Sequence, residues 1–106
     1  MSRNKKRIGT SYIKEICAVL CRIEQPEQMQ RFLAEILTPA EQNDLALRWE
    51  LMRRLAKGVP QRQIAEQLGV SLCKITRGAK ILKQNDSVSK QFLCPGDFNE
   101  PKNFTG

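Results

Sequence analysis

Apolar residues recur at helical spacing along most of the chain, and no stretch of strict alternation competes for a strand. Between about Thr10 and Glu24, residues Ile13, Ile16, Cys17 and Leu20 fall at i, i+3, i+4 and i+7. That spacing predicts a first amphipathic helix. Pro26 suits the opening position of a second helix, where a missing N–H costs nothing. Met29, Phe32, Leu33 and Ile36 then repeat the stripe. Thr38-Pro39-Ala40-Glu41 has the form of a capping box, with Thr38 accepting from the first turn and Glu41 reaching back. A third helix is therefore expected from here to about Lys57, ended by Gly58. It carries Leu45, Trp49, Met52 and Ala56 on one side, and Leu47, Leu51 and Leu55 on another. An apolar arc that wide exceeds what one small layer of neighbours covers, which predicts a helix buried between two subunits.

The stretch from about Pro60 to Lys83 reads as a helix-turn-helix. Ile64, Ala65 and Leu68 form a short stripe, Gly69 tolerates the positive φ of a tight turn, and Ser71 caps the second helix of the pair. On that second helix, Leu72, Ile75, Ala79 and Leu82 are placed inward. Lys74, Thr76, Arg77, Lys80 and Lys83 are placed outward. From Gly58 to Lys83 there are five Lys or Arg and one acid, Glu66. An apolar inner face with a cationic outer face suits a helix lying in a DNA groove. The competing reading is an ordinary helical hairpin with a solvated basic face. A last short helix is expected around Ser87 to Leu93, with Val88, Phe92 and Leu93 as its apolar side. The fold class is all α.

Composition narrows the picture. A chain of 106 residues makes one domain whose own core is marginal, so a second copy sharing that core would help. A net charge of +7 favours a polyanionic partner without separating DNA from RNA or an anionic membrane surface. Residues 1–9 carry Arg3, Lys5, Lys6 and Arg7 and read as a basic flexible arm, or as a solvated tail without a role. Residues 95–106, rich in Gly, Pro and Asn, read as a disordered tail. No apolar run is long enough for a membrane span, and the first residues hold no apolar signal core, so a cytoplasmic protein is expected. There is no histidine and no CxxC pair among Cys17, Cys21, Cys73 and Cys94. These cysteines read as small apolar residues in a reducing compartment, not as a metal site. With no nucleophile–base pair and no glycine-rich phosphate loop either, nothing organises catalysis.

With the helices placed, Leu37 to Lys83 resembles the tryptophan-responsive repressors of bacterial trp operons. The matching pieces are LTPxE at Leu37–Glu41, Arg48, the Gln61-Arg62 pair, Leu68-Gly69 and ITRG at Ile75–Gly78. The resemblance implies an intertwined helical homodimer over residues 10–94, with one helix-turn-helix per subunit (about 60–83). It also implies repression of tryptophan metabolism genes, with L-tryptophan as the corepressor and double-stranded operator DNA as the partner. On this likeness Arg48 and Arg77 sandwich the indole, and Arg77 also pairs with the ligand carboxylate. Leu37 and Thr38 line the pocket from the other subunit, their carbonyls accepting from the ligand ammonium. Gly78 leaves room beside the ligand. DNA is met by Gln61, Arg62, Val70, Ser71, Leu72, Lys74 and Thr76, with Lys83 on phosphate.

Several positions depart from the family pattern. Ile81, a ligand-pocket position, stands where the family has a serine that helps hold the ammonium. Lys74 replaces a small hydroxyl residue, and Pro60 a capping serine. The residues alone would pair Arg48 with Asp44 at i−4. Two other functions stay open: a regulator of the same fold with another ligand or none, and a small basic adaptor for RNA or protein. Trp49 and Tyr12 provide no stacking platform for single strands, which weighs against RNA.

Overall fold

The computed structural model describes residues 6–94. These form α1 (Thr10–Arg22), α2 (Pro26–Ile36), α3 (Pro39–Ala56), α4 (Gln61–Leu68), α5 (Leu72–Lys83) and α6 (Val88–Leu93). No strand occurs among the described residues, as the all-α reading expects. The tail at 95–106 and the first five residues of the basic arm lie outside the described residues. Two compact units divide at Gln42/Asn43, within α3.

In the N-terminal unit the helix boundaries follow from local chemistry. α1 stops at Arg22, short of the expected Glu24, and Ile23 is already extended at φ −85°, ψ 120°. Gln25 precedes a proline and is likewise extended, since the ring disfavours helical geometry at that position. Pro26 opens α2, and Leu37 ends it in extended geometry ahead of the next helix. Both halves of the capping box form. The Thr38 N–H donates to Glu41 Oε1 at 2.8 Å, and the Glu41 N–H donates to Thr38 Oγ1 at 3.1 Å. Neither α1 nor α2 contains a buried residue. Ile13 and Ile36 are 61% and 57% exposed while Leu20, Met29, Phe32 and Leu33 are half-buried, so the stripes that predicted these helices are covered only in part.

The C-terminal unit owns a small core. Leu51 of α3, Ile64 of α4 and Ile75 of α5 are the buried apolar residues, each at 2% exposure or less. Met52, Leu55, Val59, Ala65, Leu68 and Val70 pack around them. This core covers only part of the α3 arc, because Leu45 and Trp49 remain 47% and 42% exposed. Gly58 and Gly69 take φ of 88° and 65°, the left-handed geometry that ends α3 and turns α4 into α5. Ser71 caps α5, its hydroxyl accepting from the Lys74 N–H at 3.4 Å.

One expectation on α5 needs correcting. Ile75 and Gly78 are its buried residues and Ala79 and Leu82 are half-buried, but Leu72 is 43% exposed. Helical side chains lean toward the N-terminus, and Leu72, the first helical residue, has no preceding turn to lean over. The apolar side expected of α6 is likewise mostly open: Val88 and Phe92 are exposed, and only Leu93 is half-buried. What fixes the start of α6 is its cap, the nearly buried Ser87, whose hydroxyl accepts from the Lys90 N–H at 3.1 Å.

Candidate functional site

The helix-turn-helix places its polar residues as the pattern requires. Gln61, Arg62, Ser71, Lys74, Thr76 and Lys83 are all exposed, with Leu72 beside them. Val70 is half-buried and packs on the core, so its side chain serves the turn before anything else. The two helices are linked on this face by a long contact, Thr76 Oγ1 donating to Gln61 Oε1 at 3.5 Å. Among the described residues the ion pairs are those of Glu50 with Arg53 and Arg54, so Arg62, Lys74, Arg77, Lys80 and Lys83 keep their charge unneutralised. Such a face attracts phosphate strongly, and its attraction weakens as salt rises.

On the other flank of α5 lies a cavity of about 470 Å³, lined by Arg48, Leu51, Met52, Lys74, Arg77, Gly78 and Ile81. It follows from two helical registers meeting. Arg48, Leu51 and Met52 sit at i, i+3 and i+4 on α3, and Lys74, Arg77, Gly78 and Ile81 at i, i+3, i+4 and i+7 on α5. Four residues expected around a ligand (Arg48, Arg77, Gly78 and Ile81) thus share one wall-to-wall space. Two residues of its apolar lining, Leu51 and Met52, were not anticipated, although their spacing from Arg48 carried the signal. Lys74, expected near both the pocket and DNA, faces this space.

Gly78, expected beside a ligand, has a packing task. A Cβ at this position would stand 2.9 Å from Leu51 Cδ1 and 3.3 Å from both Leu55 Cδ1 and Met52 Cγ. Glycine is what lets α5 approach α3 this closely. Arg48 does not pair with Asp44, the partner its sequence neighbours suggested. Leu37 and Thr38 belong to the N-terminal unit, and both of their carbonyls already accept from Gln42. The Gln42 side-chain Nε2 reaches the Leu37 oxygen at 3.1 Å, and its N–H reaches the Thr38 oxygen at 2.9 Å.

A polar brace that the sequence reading missed ties α3 to α4. Glu50 accepts from Arg54 Nε at 2.8 Å and from Arg53 Nη1 at 2.9 Å, while Arg54 Nη1 donates to Gln67 Oε1 at 2.7 Å. The Arg54 hydrogen bond is the main cause holding the Glu50 carboxyl below its ordinary value of 4.5; partial burial opposes it, and Arg53 adds to it. The i+3 and i+4 offsets of Arg53 and Arg54 from Glu50 were the available clue.

Residues 11–95 match the family described as Trp repressor protein. The chain belongs to the Trp repressor family. A Trp operon repressor homolog of Chlamydia trachomatis serovar L2 is 33% identical over 92 residues, 86% of this chain and 95% of that protein. One from Chlamydia caviae is 35% identical over 94 residues, covering 88% and 90%. One from Xylella fastidiosa strain M23 is 40% identical over 76 residues, covering 71% and 80%. No solved structure matches. As a Trp repressor family member the protein is a transcriptional regulator of that type, a family of regulators and not of enzymes.

Lys74 and Ile81 put one cation and one apolar side chain of α5 into the cavity lining. Cys17, Cys21 and Cys73 are exposed free thiols and Cys94 is half-buried. Among the described residues no group of His, Cys, Asp or Glu is assembled to hold a metal, and no helix is long and apolar enough to cross a membrane.

Proposed function

We propose that this chain is a homodimeric, operator-binding repressor of tryptophan metabolism genes, acting in the cytoplasm and activated by L-tryptophan. One observation carries the reading: α5 presents Lys74, Thr76, Arg77 and Lys83 on an unneutralised face while Lys74, Arg77, Gly78 and Ile81 of the same helix line a cavity against α3. A ligand in that cavity bears on the pose of the helix that meets DNA. Arg48 and Arg77 offer planar guanidinium groups that stack on an indole, and Arg77 offers a forked pair to a carboxylate. Leu37 and Thr38 are assigned to the partner's side of the pocket. Gln61, Arg62, Val70, Ser71, Leu72, Lys74 and Thr76 are assigned to the groove, and Lys83 to phosphate.

Dimerisation is supported by the exposed Ile13 and Ile16 of α1 and Ile36 of α2, and by Leu45 and Trp49 on α3. Burying one large apolar side chain stabilises by roughly 1.5–3 kcal/mol, so several left in water weigh heavily against a stability of about 5–15 kcal/mol. Two heads held one turn of DNA apart, roughly 34 Å, is the spacing of helix-turn-helix dimers generally, this family among them.

The test is binding to a palindromic trp-type operator at fixed salt, with and without L-tryptophan, alongside sedimentation of the free protein. A dimer whose operator affinity rises with tryptophan supports the reading. The variant Arg77→Leu should stay folded and lose the tryptophan response, since the charge-assisted bond it removes is worth about 1.5–3 kcal/mol. Retained tryptophan binding with DNA affinity lost would make Arg77 a DNA contact. A second reading, regulation by a different ligand, is favoured by Lys74 and Ile81 in the cavity lining.

A further inference from the structure

We infer that Cys17 and Cys21 of α1 form a dithiol site that chelates a thiophilic centre needing only two protein sulfurs, a monosubstituted trivalent arsenical.

The two thiols stand four residues apart on one helix, and both are exposed. Residues at that offset share a helix face, with about 5–6 Å between their Cβ atoms. A direct disulfide needs about 3.5–4.5 Å between Cβ atoms and a sulfur–sulfur bond of about 2.05 Å, so closing one would distort α1. A single atom bridging the sulfurs relaxes that demand. With bonds of about 2.3 Å and an angle of about 100°, it leaves the sulfurs roughly 3.5 Å apart, a span reached by side-chain rotation alone. The spacing favours a bridged dithiol over an oxidised one.

The supply of donors chooses the occupant. Among the described residues no group of three or more His, Cys, Asp or Glu is assembled to hold a metal, so a zinc ion would find two of its usual four ligands here. A monosubstituted trivalent arsenic carries its own organic group and needs two sulfurs and nothing more. The exchange balances without an oxidant. Each thiol gives up its proton and forms an arsenic–sulfur bond, the arsenic–oxygen bonding breaks, and the oxygen leaves as water with both protons. Arsenic stays trivalent throughout. The other thiols offer no equivalent, because Cys73 in the first turn of α5 and Cys94 at the end of α6 have no second cysteine one turn away.

α1 is also a helix on which such a bridge has a measurable effect. Its N-cap, Gly9, makes no side-chain hydrogen bond, its first turn carries no acid, and it contains no buried residue. A bridge from Cys17 to Cys21 fixes one turn of this weakly supported helix, and a ligand that binds the folded form stabilises it.

Phenylarsine oxide added to the freshly reduced full chain is the probe. One equivalent per chain should bind, resist a large excess of a monothiol and be released by the dithiol dimercaptopropanol. Cys17→Ser and Cys21→Ser should each weaken retention by about 10²–10⁴-fold, since the second bond is no longer made intramolecularly. Cys73→Ser combined with Cys94→Ser should leave retention unchanged. Thermal unfolding followed by circular dichroism should shift upward on binding in the parent but not in Cys17→Ser. Retention that survives the loss of either α1 thiol, or that appears only after unfolding in urea, would overturn the inference. Stoichiometric zinc held by the same two cysteines would overturn it as well, because the site would then supply more than two ligands.

Discussion

Gly78→Ala tests whether the approach of α5 to α3 depends on the missing side chain. Two effects of opposite sign compete. Alanine in a helix interior is favoured over glycine by about 0.8–1 kcal/mol, so propensity alone makes the variant more stable. Against this, the new methyl would stand 2.9 Å from Leu51 Cδ1, with Leu55 Cδ1 and Met52 Cγ at 3.3 Å. A terminal methyl on a flexible side chain would move aside cheaply. Leu51, however, is 2% exposed and packed with Ile64 and Ile75, so it has little space to turn into. Overpacking of that kind typically costs about 1–3 kcal/mol, which outweighs the propensity gain and leaves a net loss of about 0–2 kcal/mol. Urea denaturation followed by circular dichroism, at one fixed protein concentration, reads the difference. Leu51→Ala supplies the control. In that background the clash is largely gone, and Gly78→Ala should become neutral or stabilising, giving a coupling of about 1–3 kcal/mol between the positions. A gain of about 1 kcal/mol for Gly78→Ala in both backgrounds would refute the reasoning, because propensity alone would then be acting.

Glu50→Gln should lower stability by about 0.5–1 kcal/mol near neutral pH, since it removes half-exposed pairs with Arg53 and Arg54. The pH dependence has a definite sign. The Glu50 pKa is lowered by folding, so its contribution is fully present above the ordinary value of 4.5 and is lost as pH falls through the lower folded-state value. The parent and variant melting curves should converge in that acid range; a constant offset down to strong acid would show that the charge is not responsible. For DNA, Arg62→Ala should cost about 1–3 kcal/mol on the preferred operator and relax discrimination at one position, whereas Lys83→Ala should weaken all sequences alike. Competition binding across operator variants checks this, and a uniform loss for Arg62→Ala would move it to the phosphate backbone.

The helices were legible because their signals are local. Pro26, the Thr38–Glu41 box, Gly58, Gly69 and Ser71 each fix a boundary through contacts within a few residues, and the structure forms those contacts. Burial was less legible because it depends on which neighbours arrive. Leu72 and Ile75 share a stripe in the sequence, yet only Ile75 has a helix over it. The Arg54–Gln67 bond spans thirteen residues and depends on how α4 returns, so no pattern announces it. For the cavity, the family resemblance supplied Arg48 and Arg77. That Leu51 and Met52 face the same space became evident only once α3 and α5 were placed together.

The arrangement of α3, α4 and α5 also bounds how strong a ligand switch is to be expected. The Glu50–Arg54–Gln67 brace ties α4 to α3 through residues that do not line the cavity. What remains for the ligand is α5, reached through Lys74, Arg77 and Ile81. A ligand shifts a conformational equilibrium only by its difference in affinity for the two states, and driving a head from 1:99 to 99:1 takes about 10⁴-fold, or roughly 5.5 kcal/mol. A single charge-assisted bond to Arg77 supplies about 1.5–3 kcal/mol. Stacking on Arg48 adds about 0.5–2 kcal/mol if it forms only when the cavity is closed. Together they amount to about 2–5 kcal/mol, which falls short of a full switch even at the upper end. On these numbers the proposed regulator grades operator affinity over roughly one to three decades and retains measurable binding without ligand.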